Sequence, residues 1–202
     1  GCRAALQLHG CNAAVSACEK GGQWQAASLL FSSMAQRRLA PDVITCNAAV
    51  SACQKGGKWQ ISLALFASMA NIRIRPDIVS YNSILDAMTD DDVAWGIFSA
   101  GMQCGVYPDI LNGEGDCIDL HGLSVGAALT VVKRKLSLLV RRKASGAVRL
   151  PLRIITGWGK SRKDWVTTGI KEAVSELLKL CGLQVIQQIN PCVLFVSLEN
   201  LQ

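Results

Sequence analysis

An aspartate and a histidine stand two residues apart in Ile118-Asp119-Leu120-His121-Gly122, at the end of a short apolar run. A second apolar run ends in Ile154-Ile155-Thr156-Gly157-Trp158-Gly159-Lys160, followed by Ser161, Arg162 and Lys163. A carboxylate near an imidazole is equipment for moving a proton: the imidazole serves as general acid or base, and the carboxylate orients it or raises its basicity. Gly157 and Gly159 let backbone come close to a ligand, and their amides, with Lys160, Ser161, Arg162 and Lys163, suit a phosphate. Acting together, these groups point to phosphodiester chemistry. His121 would work on the attacking hydroxyl or the leaving oxygen, and residues 157–160 on the charge developing at phosphorus. No metal is required, although Asp119 offers an oxygen to Mg2+.

Both runs must be strands for these groups to meet. Residues 117–120 read as a short strand, and Ser124 caps the helix that follows, with Ala128, Leu129, Val132, Leu136, Leu139 and Val140 on one stripe. Lys133, Arg134, Arg141 and Arg142 fall largely off it. A second strand spans 150–156. A second helix runs from about residue 166, with Ile170, Val174, Leu177, Leu178 and Cys181 on one face and Gly182 ending it. Strands at 185–189 and 193–198 follow, joined through Asn190-Pro191. The order is βαβαββ. The strand–helix–strand crossover predicts parallel strands and a two-layer α/β sandwich, with both signatures at carboxyl ends of neighbouring strands. Alternation sets Cys117, Asp119 and His121 on one face and Ile118 and Leu120 on the other.

The chain has 202 residues, half of them hydrophobic, which suffices for one or two cored units. It begins at Gly1 without a signal-peptide pattern, so a fragment of a longer protein is expected. No apolar run approaches the length of a membrane span. Nine cysteines occur without a CxxC pair, which favours small buried hydrophobes in a reducing compartment over zinc ligands. The net charge of +6 comes entirely from residues 113–202, and residues 133–163 hold eleven basic side chains and no acidic one. Such density points to a polyanion partner.

The first half repeats itself. Cys11-Asn12-Ala13-Ala14-Val15-Ser16-Ala17-Cys18 returns as Cys46-Asn47-Ala48-Ala49-Val50-Ser51-Ala52-Cys53, an offset of 35. Gly21-Gly22-Gln23-Trp24-Gln25 and Pro41-Asp42 return at that offset as Gly56-Gly57-Lys58-Trp59-Gln60 and Pro76-Asp77. A shorter third copy runs from Tyr81-Asn82 to Pro108-Asp109, with Thr89-Asp90-Asp91-Asp92 in place of the Gly-Gly turn. Each unit reads as two helices. Ala49, Val50 and Cys53 share one face, Leu63, Phe66 and Met69 another, and Pro76 is expected to stop the second helix. Stacked pairs bury their stripes as an α-solenoid. The recurrence of Trp24 and Trp59 predicts packing between repeats, and Trp95, aligned with Leu63, is expected in the core.

Units of about 8–42, 43–77 and 78–109 resemble pentatricopeptide repeats in length, in the asparagine near the start of each first helix and in the terminal Pro-Asp. The resemblance implies a single-stranded RNA partner and one base read per repeat, by Asn12 with Asp42, Asn47 with Asp77 and Asn82 with Asp109. It associates this combination with uridine, so a short U-tract is the expected target. The alternative role of these residues is local: asparagines and aspartates also cap helices and shape turns. More repeats are expected before Gly1.

After Gly113-Glu114-Gly115-Asp116 the periodicity breaks, giving expected domains of 1–112 and 113–202. Residues 114–200 resemble the small MutS-related (Smr) domain, through the Asp119–His121 signature, the signature at 156–161 and Asn190-Pro191. Cys192 stands where that family usually has glycine, and no histidine follows Gly159. The resemblance implies RNA endonuclease activity, with catalytic Asp119, His121 and Lys160, phosphate held by Gly157, Gly159, Lys160, Ser161, Arg162 and Lys163, and either no cofactor or Mg2+. Trp158 would stack a base or pack in the core. The combined arrangement implies organellar RNA processing in a plastid or mitochondrion, beside other RNA-processing proteins. A non-catalytic RNA-binding or scaffold protein is the alternative, and DNA nicking a weaker one.

Overall fold

The computed structural model describes residues 2–37, 39–108, 110, 117–144, 151–156, 169–187 and 193–198. By packing, the chain divides into two compact units, residues 1–89 and 90–202.

Among the described residues, the first unit consists of α1 (Cys2–Lys20), α2 (Trp24–Gln36), α3 (Val43–Lys55), α4 (Trp59–Asn71) and α5 (Ile78–Leu85). Each helix packs on its near neighbours in sequence, α1 on α2 and α3, and α3 on α4 and α5. Val15, Ala27, Ala48, Ala49 and Ala52 form the core, with Cys18, Leu30, Phe31 and Leu65 against them. Ala49, Val50 and Cys53 are fully buried, as their spacing predicts. Met34 and Met69, at matched positions in successive repeats, are buried too. This helical region is consistent with a repeat solenoid.

The first two hairpins turn through left-handed backbone, at Gly22 and Gly57. Gly57 has φ 67°, and the Lys58 N–H returns to the Cys53 carbonyl at 2.9 Å. A side chain is disfavoured at that φ, which explains the second glycine of the turn. The first serves another purpose. A Cβ at Gly56 would lie 2.8 Å from Cγ of Trp24, so the missing side chain makes room for the indole of the preceding repeat. The expected inter-repeat role of Trp24 is therefore met at this contact. Gly56→Ala should destabilise the chain by about 1–3 kcal/mol, the usual cost of overpacking. Urea denaturation would measure it.

The end of α4 corrects one expectation. The helix stops at Asn71, and Pro76 lies in the linker leading to α5. The stop is made by Arg73, at φ 58°, with the Ile74 N–H donating to the Met69 carbonyl at 2.9 Å. The geometry matches the glycine turns, but here a residue with a Cβ adopts it, at a cost of roughly 1–2 kcal/mol.

The second unit contains α6 (Asp91–Gln103), β1 (Cys117–Asp119), α7 (Val125–Ala144), β2 (Leu152–Ile155), α8 (Ile170–Leu180), β3 (Val185–Gln187) and β4 (Val193–Val196). The division at 89/90 falls earlier than the 112/113 boundary expected from the repeat pattern. α6 packs on α7, so the second helix of the third repeat joins the α/β unit. α8 begins at Ile170 rather than near residue 166, because Gly169 is extended and forms the N-cap.

The strands form one sheet in the order β1-β2-β4-β3. β1 and β2 are parallel, with Asp119 opposite Ile155. β4 is antiparallel to both neighbours, so the sheet is mixed. Ile118, Leu152, Ile154, Leu194 and Val196 are buried on one face. On the other, Asp119 and Arg153 are exposed, and Cys117, Ile155, Val193 and Phe195 are half-buried. Along α7, Ala127 and Val131 are buried beside the expected Ala128, Val132, Leu136 and Leu139. Leu129 and Val140 are half-buried.

Candidate nucleic-acid interface

The asparagines and aspartates that recur at the repeat boundaries come together as side-chain pairs. Nδ2 of Asn47 donates to Oδ1 of Asp77 at 3.0 Å, and Oδ1 of Asn47 accepts from the Ser80 hydroxyl at 2.6 Å. In the preceding repeat, Nδ2 of Asn12 donates to Oδ2 of Asp42 at 3.1 Å, and the Thr45 hydroxyl donates to Oδ1 of Asn12 at 2.6 Å. Asn82 holds the equivalent place on α5, while Asp109 lies outside the described residues.

The local roles are also filled. Asp42 and Asp77 are the N-caps of α3 and α5, accepting from the backbone N–H of Thr45 at 2.8 Å and of Ser80 at 2.9 Å. Capping and pairing coexist because a carboxylate has enough lone pairs for both. Burial disfavours the Asp77 charge, but the N–H groups of Ser80 and Val79, the Asn47 amide and the Ser80 hydroxyl favour it. The balance holds its pKa below the ordinary 3.8.

Sequence reasoning missed Thr45 and Ser80. Each hydroxyl bridges one repeat's asparagine to the aspartate at the start of the next helix. The signal was their common place, three residues after the aspartate at the offset of 35. Ile44 and Val79 were missed as well. They are 65% and 51% exposed, and each lies one helical turn before Asn47 or Asn82, on the same face. Exposed β-branched residues at a repeated position offer apolar contact beside the polar pair.

Cys46 and Cys53, buried at matched positions of α3, have no such role. Burial, with the Asp42 charge, pushes the Cys46 thiol up to about 11, and burial raises Cys53. Protonated thiols are poor ligands and nucleophiles, so their recurrence reflects packing. Among the described residues, no cluster of three His, Cys, Asp or Glu could hold a metal ion, and no helix is long and apolar enough to cross a membrane.

In the second unit, the expected strand end is present. Leu120 extends the ladder, its N–H donating to the Ile155 carbonyl at 2.8 Å. Asp119 and His121 are exposed, whereas Ile118 and Leu120 are buried. Parallel pairing brings the ends of β1 and β2 side by side, one residue short of Thr156-Gly157. The Asp119 carboxylate takes a different partner from the one expected. Its Oδ1 accepts the backbone N–H of His121 at 2.9 Å, fixing the turn that Gly122 completes at φ 80°. Gly157, Trp158, Gly159, Lys160, Ser161, Arg162, Lys163, Asn190, Pro191 and Cys192 lie outside the described residues.

The basic helix is only partly available to a polyanion. Lys133 pairs with Asp91 at 2.6 Å, Arg134 sits 5.0 Å from the centre of the Trp95 ring, and Lys135 is buried. Arg141 and Arg142, further along α7, are exposed. Trp95 departs from its expected core position: it is half-buried and carries a cation.

Comparison with known families matches residues 29–91 to the pentatricopeptide repeat domain. A pentatricopeptide repeat-containing protein of Arabidopsis thaliana is 32% identical over 111 residues, covering 49% of this chain and 13% of that relative. The chain thus spans a small fraction of the length of the curated relative it matches.

Proposed function

We propose that this pentatricopeptide repeat protein reads single-stranded RNA through Asn12/Asp42, Asn47/Asp77 and Asn82/Asp109, with a preference for uridine. We further propose that its second unit is an Smr-like domain that cuts the RNA. The repeat class supports RNA binding in the general sense. The observation that carries the base-reading proposal is the pinned amide of Asn47. A carboxylate only accepts hydrogen bonds, so Asp77 fixes which end of the amide is nitrogen, and Ser80 donates to the oxygen. One N–H and one oxygen lone pair then remain, in a set sense. Uracil matches with a carbonyl beside its imino N–H; adenine and cytosine need the opposite sense. Guanine shares uracil's pattern here, and the choice of uridine follows the family resemblance. Ile44 and Val79 supply apolar contact to the base rings.

The chain should bind a U-tract RNA at least about 10-fold more tightly than an A-rich RNA of equal length at one ionic strength. Fluorescence anisotropy would read the difference, and equal affinities would end this proposal.

For the second unit, the buried face and half-open face of the mixed sheet support the α/β reading. His121 acts as general acid or base at the exposed end of β1, and Lys160 and its neighbours hold the phosphate. A Mg2+ at Asp119 would take its remaining ligands from water and RNA phosphate. The bond from His121 N–H to Asp119 favours a second reading, in which this signature shapes a binding loop and the unit grips RNA or a partner without cutting it. By family analogy, the setting is a plastid or mitochondrion, among other RNA-processing proteins.

A further inference from the structure

One cleft of the second unit has no part in the proposed function. It lies between α6 and α7, encloses about 240 Å3, and is lined by Asp91, Asp92, Trp95, Lys133, Arg134 and Ser137, among others. It is smaller than the roughly 300–1,000 Å3 of pockets for drug-sized ligands, and matches a single base or a similar planar group.

Its side chains are arranged beyond what folding needs. Asp90 alone caps α6, accepting from the N–H groups of Asp92 and Val93 at 3.0 and 2.9 Å. Asp91 holds Lys133. The exposed Asp92 carboxylate has no side-chain hydrogen bond or ion pair among the described residues. Trp95 is stacked on Phe98, with centroids 5.9 Å apart, and Phe98 on Tyr107 at 4.6 Å. This ring stack fixes the Arg134 guanidinium at Trp95, where a planar cation offers a flat surface to another π-system. Nε of Arg134 is buried and has no hydrogen-bond partner among the described residues.

The two carboxylates cancel the two cations, so the cleft is not built for a phosphate. It suits a neutral planar group with donors on one side and an acceptor on the other. We infer that the α6–α7 cleft takes one guanine base, stacked on Arg134 and held through its edge by the Asp92 carboxylate. Guanine alone among the four RNA bases offers two adjacent donors, N1–H and the N2 amino group, to one carboxylate, with a carbonyl beside them for Lys133. Adenine and cytosine place a bare ring nitrogen beside their amino group, which a carboxylate repels. Uracil has a single N–H between two carbonyls. The site rests on the RNA-binding reading for its natural ligand, but it is testable apart from it.

The full chain is titrated with guanosine, inosine and adenosine while the Trp95 indole N–H resonance is followed. Guanosine should shift that resonance and bind about 10-fold more tightly than inosine, which lacks the N2 amino group, or adenosine. The ratio should hold as salt is raised, because no phosphate is involved. Asp92→Asn should remove the preference while circular dichroism shows the fold intact. An unmoved Trp95 resonance at saturating guanosine, or equal binding of guanosine and adenosine, would overturn the inference. Loss of U-tract binding with guanosine binding intact counts against the RNA-reading function alone. Absent guanosine preference with U-tract binding intact counts against this site alone.

Discussion

Replacing both Asp42 and Asp77 with asparagine is expected to erase discrimination between uridine and adenosine without unfolding the repeats. Asparagine caps a helix about as well as aspartate, so α3 and α5 should keep their first turns. What changes is the constraint on Asn12 and Asn47. Each now faces a carboxylate, at 3.1 and 3.0 Å, that can only accept. An amide in its place both donates and accepts, so Asn12 and Asn47 could rotate end for end and meet either base pattern. A matched pair of hydrogen bonds discriminates by about 1–3 kcal/mol per base, so the two sites together should lose at least about 10-fold in preference. Affinity for mixed-sequence RNA should fall far less. Retained preference in the double variant would show that the carboxylates do not set the sense of the amides.

The same variant has a signature in acid. The folded-state pKa of Asp77 lies below 3.8, so its ionised form adds stability at pH values above that ordinary value. The contribution is lost as pH falls through the lower folded value. Denaturation across that acid range should show this loss in the parent chain and a smaller one in the variant.

His121→Ala should reduce cleavage of a U-tract RNA by about 10²- to 10⁴-fold, the usual contribution of a general acid or base. Its effect on folding should be small. The side chain is exposed, and the turn depends on the His121 backbone N–H, the Asp119 carboxylate and Gly122 rather than on the imidazole. RNA binding through the repeats should be unchanged, which separates loss of chemistry from loss of substrate. Asp119→Ala would be a poorer probe, since it releases the turn as well. Equal cleavage by parent and variant would leave the non-catalytic reading of the second unit.

The first two repeats were legible because their hairpins bury the same stripe and turn on the same glycine, Gly22 and Gly57, so packing writes the offset of 35 into the sequence. Strand faces were legible from alternation, as Ile118 and Leu120 against Asp119 and His121 illustrate. Other features carry no period. Placing β4 between β2 and β3 depends on which edges meet, and alternation says nothing of partners. The stop at Arg73 breaks the rule that assigns left-handed backbone to glycine. α6 continues the repeat pattern in sequence yet packs on α7, through side chains such as Trp95 that the pattern treated as core. Of the candidate site, the Asn/Asp positions were visible in the sequence. The hydroxyls of Thr45 and Ser80 that lock them were hidden among ordinary helix-start residues.

The most direct test follows the side-chain amide resonances of Asn47 while a U-tract RNA, and then an A-rich RNA of equal length, is added. The predicted result is a shift of the Asn47 amide with the U-tract alone, at an affinity at least about 10-fold higher. Identical affinities, or an Asn47 amide unmoved by the U-tract at saturation, would contradict the account.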